Sequence, residues 1–317
     1  MSNRLRARYA PYIFLAPFLL TFAAFILYPL IRSVWLSFYI TAGPDVHHYV
    51  GLENFRMLLG DTSFHRAVWN TVVFAFFSVF LQLPLSLGLA LLLNSRFVYG
   101  RNLFRLAFFS PHLVGMVFVA VLFSVIYAPN YGLLNVGLFH VAQGINELVD
   151  MLNSALGLTL GLELNWAVDT NWLGRSEWVM PALVLTALWL FVGFNMVYFL
   201  AALQAVDRDL YDAARVDGAG PIRRFIHVTL PGIRHVAVFV VVLSTIGSFQ
   251  LFELPYIMLE GSGPDEAGLT VVMYLYQNGF ITGDLGYASA IGWVLVFGVM
   301  AIAICQLWAS GTLKKEQ

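Results

Sequence analysis

Six apolar runs, each longer than twenty residues, leave this chain few ways to fold. They lie at about 12–34, 68–93, 106–128, 178–203, 236–259 and 287–308. A helix needs about 20 apolar residues to cross a bilayer core. In that medium every backbone N–H must find its partner within the helix. The runs therefore predict an all-α polytopic membrane protein with six transmembrane helices. Composition agrees: 11% of the residues are charged, against roughly a quarter in a soluble domain. Arg4, Arg6 and Arg8 precede the first run, which passes through Tyr28-Pro29-Leu30 without a small-x-small cleavage site. It reads as a retained signal anchor.

Basic residues set the expected orientation, because loops rich in Lys and Arg stay in the cytoplasm. With N and C termini inside, thirteen of the 17 basic residues fall on inner segments. Only Arg32, Arg56, Arg66 and Arg175 fall at or beyond the outer face, while Glu260, Asp265, Glu266 and Asp284 share one outer loop without a basic partner. The 204–235 segment is then cytoplasmic and 129–177 is an outer loop. Within that loop Met151 to Leu162 is uncharged. It is too short to span and is expected to be interfacial or re-entrant.

Other classes are excluded by what is missing. A net charge of −1 gives no reason for a nucleic-acid partner. Cys305 is alone, so no intrachain disulfide forms. Lysine occurs only at 314 and 315, so the Gly-x-x-x-x-Gly-Lys-Ser/Thr phosphate loop is absent and this subunit is not itself a P-loop ATPase. There is no His-Glu-x-x-His, no Gly-x-Ser-x-Gly and no pair of carboxylates within a span. His47 and His48 are adjacent without further ligand spacing, so neither a metal site nor a cofactor is expected.

Leu210 to Pro231 is a charged island between apolar runs. Asp207, Asp209, Asp212 and Asp217 alternate with Arg208, Arg215, Arg223 and Arg224. An acidic start favours a helix over Asp207 to Val216. Gly218 and Gly220 are expected to turn the chain at positive φ. Pro221 then opens a second short helix, which Pro231 ends. The island reads as a helix–turn–helix between two spans.

Its order is Asp212-Ala213-Ala214, three residues, Gly218, nine residues, Val228-Thr229-Leu230-Pro231. This resembles the cytoplasmic "EAA" loop of ABC importer permeases, Glu-Ala-Ala, three residues, Gly, nine residues, Ile-x-Leu-Pro. Asp for Glu and Val for Ile are the departures. Further stretches are similar to the carbohydrate branch of these permeases, of the maltose and glycerol-phosphate type. They are Tyr49-Val50-Gly51-Leu52-Glu53-Asn54-Phe55, Asn70-Thr71, Tyr131-Gly132-Leu133-Leu134-Asn135, Gly263-Pro264 and Gly286-Tyr287-Ala288-Ser289-Ala290. Phe139 to Asn165 looks like extra material, and the family's Gly-Gly-Gly-Pro reads Gly261-Ser262-Gly263-Pro264.

The resemblance implies a coupling loop that docks on an ATPase subunit, with Asp212, Ala213, Ala214, Gly218, Leu230 and Pro231 as its residues. It also implies a second homologous permease subunit, an ATP-binding cassette ATPase dimer, an extracytoplasmic solute-binding protein and a carbohydrate substrate, in a bacterial or archaeal inner or plasma membrane. ATP hydrolysis would belong to the partner.

Within the spans, Glu253 is the sole carboxylate, and a charge at that depth must face a cavity or a partner. Helical spacing puts Phe249, Gln250, Glu253 and Ile257 on one face. Gln250 and Glu253 are candidates for the substrate path, which Asn195 and Gln82 could join; amides in spans also serve as helix glue, and His112, after Pro111, reads as a packed or hydrogen-bonded side chain in preference to a proton relay. Trp35, Tyr127, Trp178 and Trp308 read as interface anchors. The alternatives are an ion-coupled secondary transporter, which usually needs more buried ionisable groups than Glu253 alone, and an importer permease for a non-sugar such as a polyol or glycerol-phosphate compound.

Overall fold

The computed structural model describes residues 2–43, 46–95, 98–156, 164 and 166–311. Arg96, Gly157 to Glu163, Asn165, Lys314 and Lys315, which enter the readings above, lie outside them. The chain divides into two compact units, one of 1–65 with 274–298 and the other of 66–273 with 299–317.

In chain order, α1 (Ser2–Phe22) runs through a π-helical turn (Ala23–Leu27) into α2 (Tyr28–Leu36). Two short strands follow, β1 (Tyr39–Ala42) and β2 (Val46–Tyr49), paired antiparallel with Tyr39 opposite Tyr49. Next come α3 (Glu53–Gly60), α4 (Thr62–Asn94), α5 (Arg101–Phe109), a 3-10 turn (Ser110–Leu113), α6 (Met116–Ile126), α7 (Leu133–Leu156) and α8 (Ser176–Ala205). The charged island holds α9 (Arg208–Val216), α10 (Pro221–Arg224), a π-helical turn (Phe225–Thr229) and α11 (Leu230–Gly232). The chain finishes with α12 (Arg234–Phe249), α13 (Glu253–Met258), a 3-10 turn (Pro264–Glu266), α14 (Val271–Tyr276), a π-helical turn (Gln277–Ile281) and α15 (Leu285–Ala309). The fold is helical as expected, with the small hairpin as an addition.

Among the described residues five helical segments are long and apolar enough to cross a membrane: Tyr12–Leu36, Thr62–Asn94, Ser176–Ala205, Arg234–Met258 and Leu285–Ala309. The sixth expected span, 106–128, is not a straight helix. Arg101–Leu113 and Met116–Ile126 meet at a 99° bend, and they make a sixth span only if the pair is counted as one. Pro111 withdraws a donor there, and Val114 and Gly115 are extended at ψ 131° and 141°. Residues 151–156 form the tail of the 24-residue α7.

The larger unit packs around α8. Val179, Ala182, Leu183 and Ala187 form one cluster with Val119 and Phe123 of α6 and Leu254 of α13. Met196, Phe199 and Leu203 form a second with Leu83 and Leu93 of α4 and Ile233 and Val240 near α12. Gly193 is required here: a Cβ would lie 1.7 Å from the Phe108 carbonyl oxygen. Tyr127 belongs to this interior and is not an interface anchor. It is 2% exposed, and its hydroxyl reaches the Ala182 carbonyl at 3.0 Å and Thr186 Oγ1 at 3.1 Å.

The smaller unit is fastened by side chains reaching loop backbone. Asn54 Nδ2 donates to the carbonyls of Ser37 and Tyr39, both at 2.9 Å. Asp284 Oδ1 accepts from Thr41 N–H and hydroxyl and from Tyr287 N–H. Asp61 accepts from the hydroxyls of Tyr274 and Tyr287 and from Ser63 and Phe64 N–H. Burial pushes the Asp61 carboxyl up, but those donors together outweigh it and hold it below the ordinary value. Tyr274 is pushed up to about 12 by burial first, then by the Asp61 carboxylate.

Candidate functional site

The charged island folds as a stitched elbow. Asp207 caps α9 with its carboxylate accepting from Asp209 N–H at 3.0 Å. At the other end Gly218 N–H bonds the Arg215 carbonyl and Ala219 N–H bonds the Ala214 carbonyl, at 3.0 and 2.9 Å. That pair of bonds is a Schellman ending, which needs its C′ residue in the left-handed region. Gly218 supplies it at φ +73°. The spacing of Ala214 and Gly218 is thus the interval between the carbonyl that Ala219 N–H closes on and the left-handed residue. Gly220 behaves otherwise than expected: at φ −68° and ψ 170° it is extended and opens α10, with Pro221 first in the helix.

Pro231 does not end the second arm. The helix carries on to Gly232, and Ile233, at φ −95° and ψ 0°, makes the break. Pro231 has no N–H for the carbonyl four residues back, and the five residues Phe225–Thr229 widen into a π turn ahead of it. The same device precedes Pro29, where Ala23–Leu27 is π-helical.

Three contacts missed by motif reading brace the elbow. Tyr211 and Thr229 share a hydrogen bond of 3.0 Å between the arms. Ile233 is fully buried. Gly232 lies so near the end of α8 that a Cβ would meet Val206 Cγ2 at 2.9 Å. The signal for the last was a glycine directly after Leu-Pro. By contrast, the elbow bears exposed apolar side chains, three of them in a stripe. Leu210, Val216, Ile222, Ile226 and Leu230 are exposed, and the last three recur every four residues, as does one face of a helix. Ala213 is exposed among them and Ala214 half-buried. Asp212 pairs with Arg215 at 3.0 Å, with about two-thirds of each side chain exposed. An exposed pair of this kind is worth about 0–1 kcal/mol, so little holds Asp212 to Arg215.

The second candidate region is the break in the fifth span. Helical phase does not run through it, so the expected common face of Phe249, Gln250, Glu253 and Ile257 is not formed. α12 stops at Phe249, and Phe252 sits at φ −140° before α13 begins at Glu253. Pro255 is the cause: its ring opposes a helical carbonyl at Leu251, four residues back. That carbonyl instead accepts from Thr270 Oγ1 at 2.7 Å. Gln250 and Glu253 are both exposed, on either side of the break. Asn195 lies on α8, facing α12. It is 3% exposed and its Nδ2 donates to Ser244 Oγ at 3.3 Å, an interhelical contact. Gln82 is buried. His112 stacks on Phe194 with ring centroids 4.0 Å apart.

The loop beyond this break is held by Asn70 and Thr71. Asn70 Nδ2 donates to the Glu266 and Leu269 carbonyls, and Thr71 Oγ1 accepts from Val271 N–H. Glu260, Asp265 and Glu266 lie at φ between 49° and 55°, conformations that persist in non-glycine residues only where surrounding structure imposes them. Asn135 plays a similar part, donating to the Thr170 carbonyl and accepting from Trp172 Nε1, both at 2.8 Å. Among the described residues no three His, Cys, Asp or Glu side chains are grouped to hold a metal.

Comparison with known proteins places this geometry. The profile of the family described as "Binding-protein-dependent transport system inner membrane component" matches residues 7–314. The chain is 36% identical over 307 residues to the arabinooligosaccharides transport system permease protein AraP of Bacillus subtilis, covering 97% of this chain and 90% of that one. It is 31% identical over 311 residues to the trehalose/maltose transport system permease protein MalF of Thermococcus litoralis, covering 97% and 96%. The lactose transport system permease protein LacF of Rhizobium radiobacter is 31% identical, over 94% and 93% of the two chains. A crystal structure of a bacterial ABC transporter for alginate import shares the fold, with TM-score 0.76 at 23% identity and 99% of both chains covered.

Proposed function

This chain belongs to the family of binding-protein-dependent transport system inner membrane components, and from that premise we propose that it forms half of the translocation path of an ATP-driven carbohydrate importer. It is a multi-pass transport subunit, and ATP is hydrolysed by a separate subunit. The sugar class is supported by relatives whose names specify arabinooligosaccharides, trehalose or maltose, and lactose. The partners are a second homologous permease, an ATPase dimer docked at the 204–235 elbow and an extracytoplasmic binding protein. The membrane is a bacterial or archaeal inner or plasma membrane, with both termini inside.

The observation that carries the coupling role is an exposed apolar stripe on an elbow tied to the neighbouring spans. Leu210, Val216, Ile222, Ile226 and Leu230 are exposed, whereas Tyr211–Thr229, Gly232–Val206 and buried Ile233 tie the elbow to α8 and α12. A push on the stripe is delivered to the two spans instead of being absorbed by the loop. At its far end α12 reaches the break flanked by Gln250 and Glu253, whose amide and carboxylate suit hydrogen bonds to sugar hydroxyls.

Reconstitution of the complex tests this. Uptake should require ATP, and ATP hydrolysis should rise when sugar-loaded binding protein is added. Uptake that persists without ATP and collapses with an ionophore would identify an ion-coupled carrier and contradict the proposal.

A further inference from the structure

The second half of the last span is joined to the fifth by hydrogen bonds that lie outside either core. Neither core cluster includes a residue of α15. The buried residues of α15, Gly286, Tyr287, Ala288, Ala290 and Ile291, all lie near its start, and none of 299–309 is buried. In that second half Gln306 Nε2 donates to Thr245 Oγ1 of α12 at 2.9 Å, and Thr245 Oγ1 donates in turn to the Val241 carbonyl at 2.8 Å. One turn further on, Arg234 Nη2 donates to the Ser310 carbonyl. Gly311 follows at φ +73°, and a Cβ there would lie 2.8 Å from Arg234 Nη2. Any larger residue would push the guanidinium off its acceptor. All of these residues belong to the larger unit.

The spacing of these groups makes a clasp. Arg234 and Thr245 are eleven residues apart, about three turns, and so share one face of α12. Gln306 and Ser310 bracket the last turn of α15. One face of α12 thus grips that turn at both ends. The Ser310 carbonyl stands where a helix leaves its carbonyls without helical donors and carries the negative end of its dipole, which a guanidinium suits. Arg234 also follows directly on Ile233, where the second arm of the elbow breaks into α12. A displacement of the elbow therefore enters α12 beside the clasp. We propose that Arg234 and Gln306 are positioning residues that make the end of α15 move with α12 as one body, so that a push received at the elbow reaches a third span. The inference rests on the coupling role proposed above and extends it: packing at Val206 and Ile233 serves α8 and α12, and the two hydrogen bonds serve α15.

The test measures the α12–α15 distance in the intact complex by double electron–electron resonance. One spin label goes on Cys305, which is exposed, and the other on Phe239→Cys, also at an exposed position. With otherwise unmodified protein the distance should be the same without nucleotide and with a bound ATP analogue. The Gln306→Leu/Gly311→Asn variant opens the clasp at both ends, while asparagine still accepts the left-handed turn. Its distance should broaden or differ between the two states, and loaded binding protein should no longer stimulate ATP hydrolysis, although the ATPase subunit still co-purifies. If that variant does not accumulate, Thr245→Val breaks the upper bond alone and Thr245→Ser keeps it; the valine variant should lose part of the stimulation and the serine variant none. A distance that changes with nucleotide in the unmodified protein overturns the proposal, because α15 then moves by itself. So does full stimulation in the open-clasp variant: with an altered distance, it would leave the bonds as helix glue only. Failure of the unmodified complex to retain its ATPase subunit would instead contradict the coupling role on which the inference rests.

Discussion

The coupling elbow and the break in the fifth span are both helix–turn–helix, yet they are built in opposite ways. The elbow closes on itself: a Schellman ending at Gly218 and a hydrogen bond between its arms hold it, so it keeps its shape while its outer face stays bare. The break at Gln250–Phe252 is held from outside, by Thr270 on the Leu251 carbonyl and by Asn70 and Thr71 on the following loop. A self-supporting turn suits a surface that meets another protein. A turn braced by a distant segment suits a place where side chains must be presented and re-aimed as that segment moves. The contrast makes predictions, since damage to the first should uncouple and damage to the second should alter passage.

The largest effect is expected at Gly218. A β-branched residue at φ +73° carries a strain of about 1–3 kcal/mol. Gly218→Val should therefore insert normally but lose about tenfold or more of its stimulated ATP hydrolysis. Normal coupling in this variant would remove the tight turn from the account. Glu253→Gln comes next: uptake or sugar preference should shift several-fold while ATPase assembly, measured by co-purification, is unchanged. If instead Glu253→Ala only lowers the amount of membrane protein, with preference intact, the carboxylate is structural.

Asp212→Ala should weaken ATPase binding by about 1–3 kcal/mol if the carboxylate exchanges Arg215 for a partner's cation. Asp212→Glu should be tolerated. Intact assembly in the alanine variant would leave docking to the apolar stripe alone. Thr270→Val removes one bond to a buried carbonyl, a loss of about 1–3 kcal/mol in local stability. It should raise proteolytic sensitivity of the 260–270 loop without touching ATPase binding.

The smallest effect is expected at Asp61. Its carboxyl is held below its ordinary value, so its contribution is fully present above the unfolded value of about 3.9. That contribution fades as pH falls through the lower folded value. Asp61→Asn should lower stability modestly at neutral pH, where the carboxylate's contribution is present, and flatten the acid limb, leaving stability at low pH nearly unchanged. An acid limb identical to wild type would show that the Tyr274–Asp61 contact contributes nothing.

What could be read from the chain divides along the same line as the two turns. Long runs and local spacing carried directly: α4, α8 and α15 lie where hydropathy puts them, and the Ala214–Gly218 interval is a local backbone geometry. Wherever a proline and a distant partner decide together, local reading ran on too far. It continued a helix through Pro111 and through Pro255, because it has no access to the Leu251–Thr270 bond that makes the break stable. Small motifs of obscure purpose were legible as patterns but not as chemistry. Asn54, Asn70 and Asn135 prove to be backbone fasteners, and Gly286 is needed because a Cβ would lie 1.8 Å from the Tyr39 carbonyl oxygen.

The central claim is that the bare stripe of the elbow is the docking face for the ATP-hydrolysing subunit. A photo-crosslinking residue placed at Ile226, which is 49% exposed, tests it in the intact complex. The account predicts a crosslink to the ATPase subunit that is lost in Gly218→Val. A crosslink to the binding protein, or to lipid alone with the ATPase still bound, would contradict it.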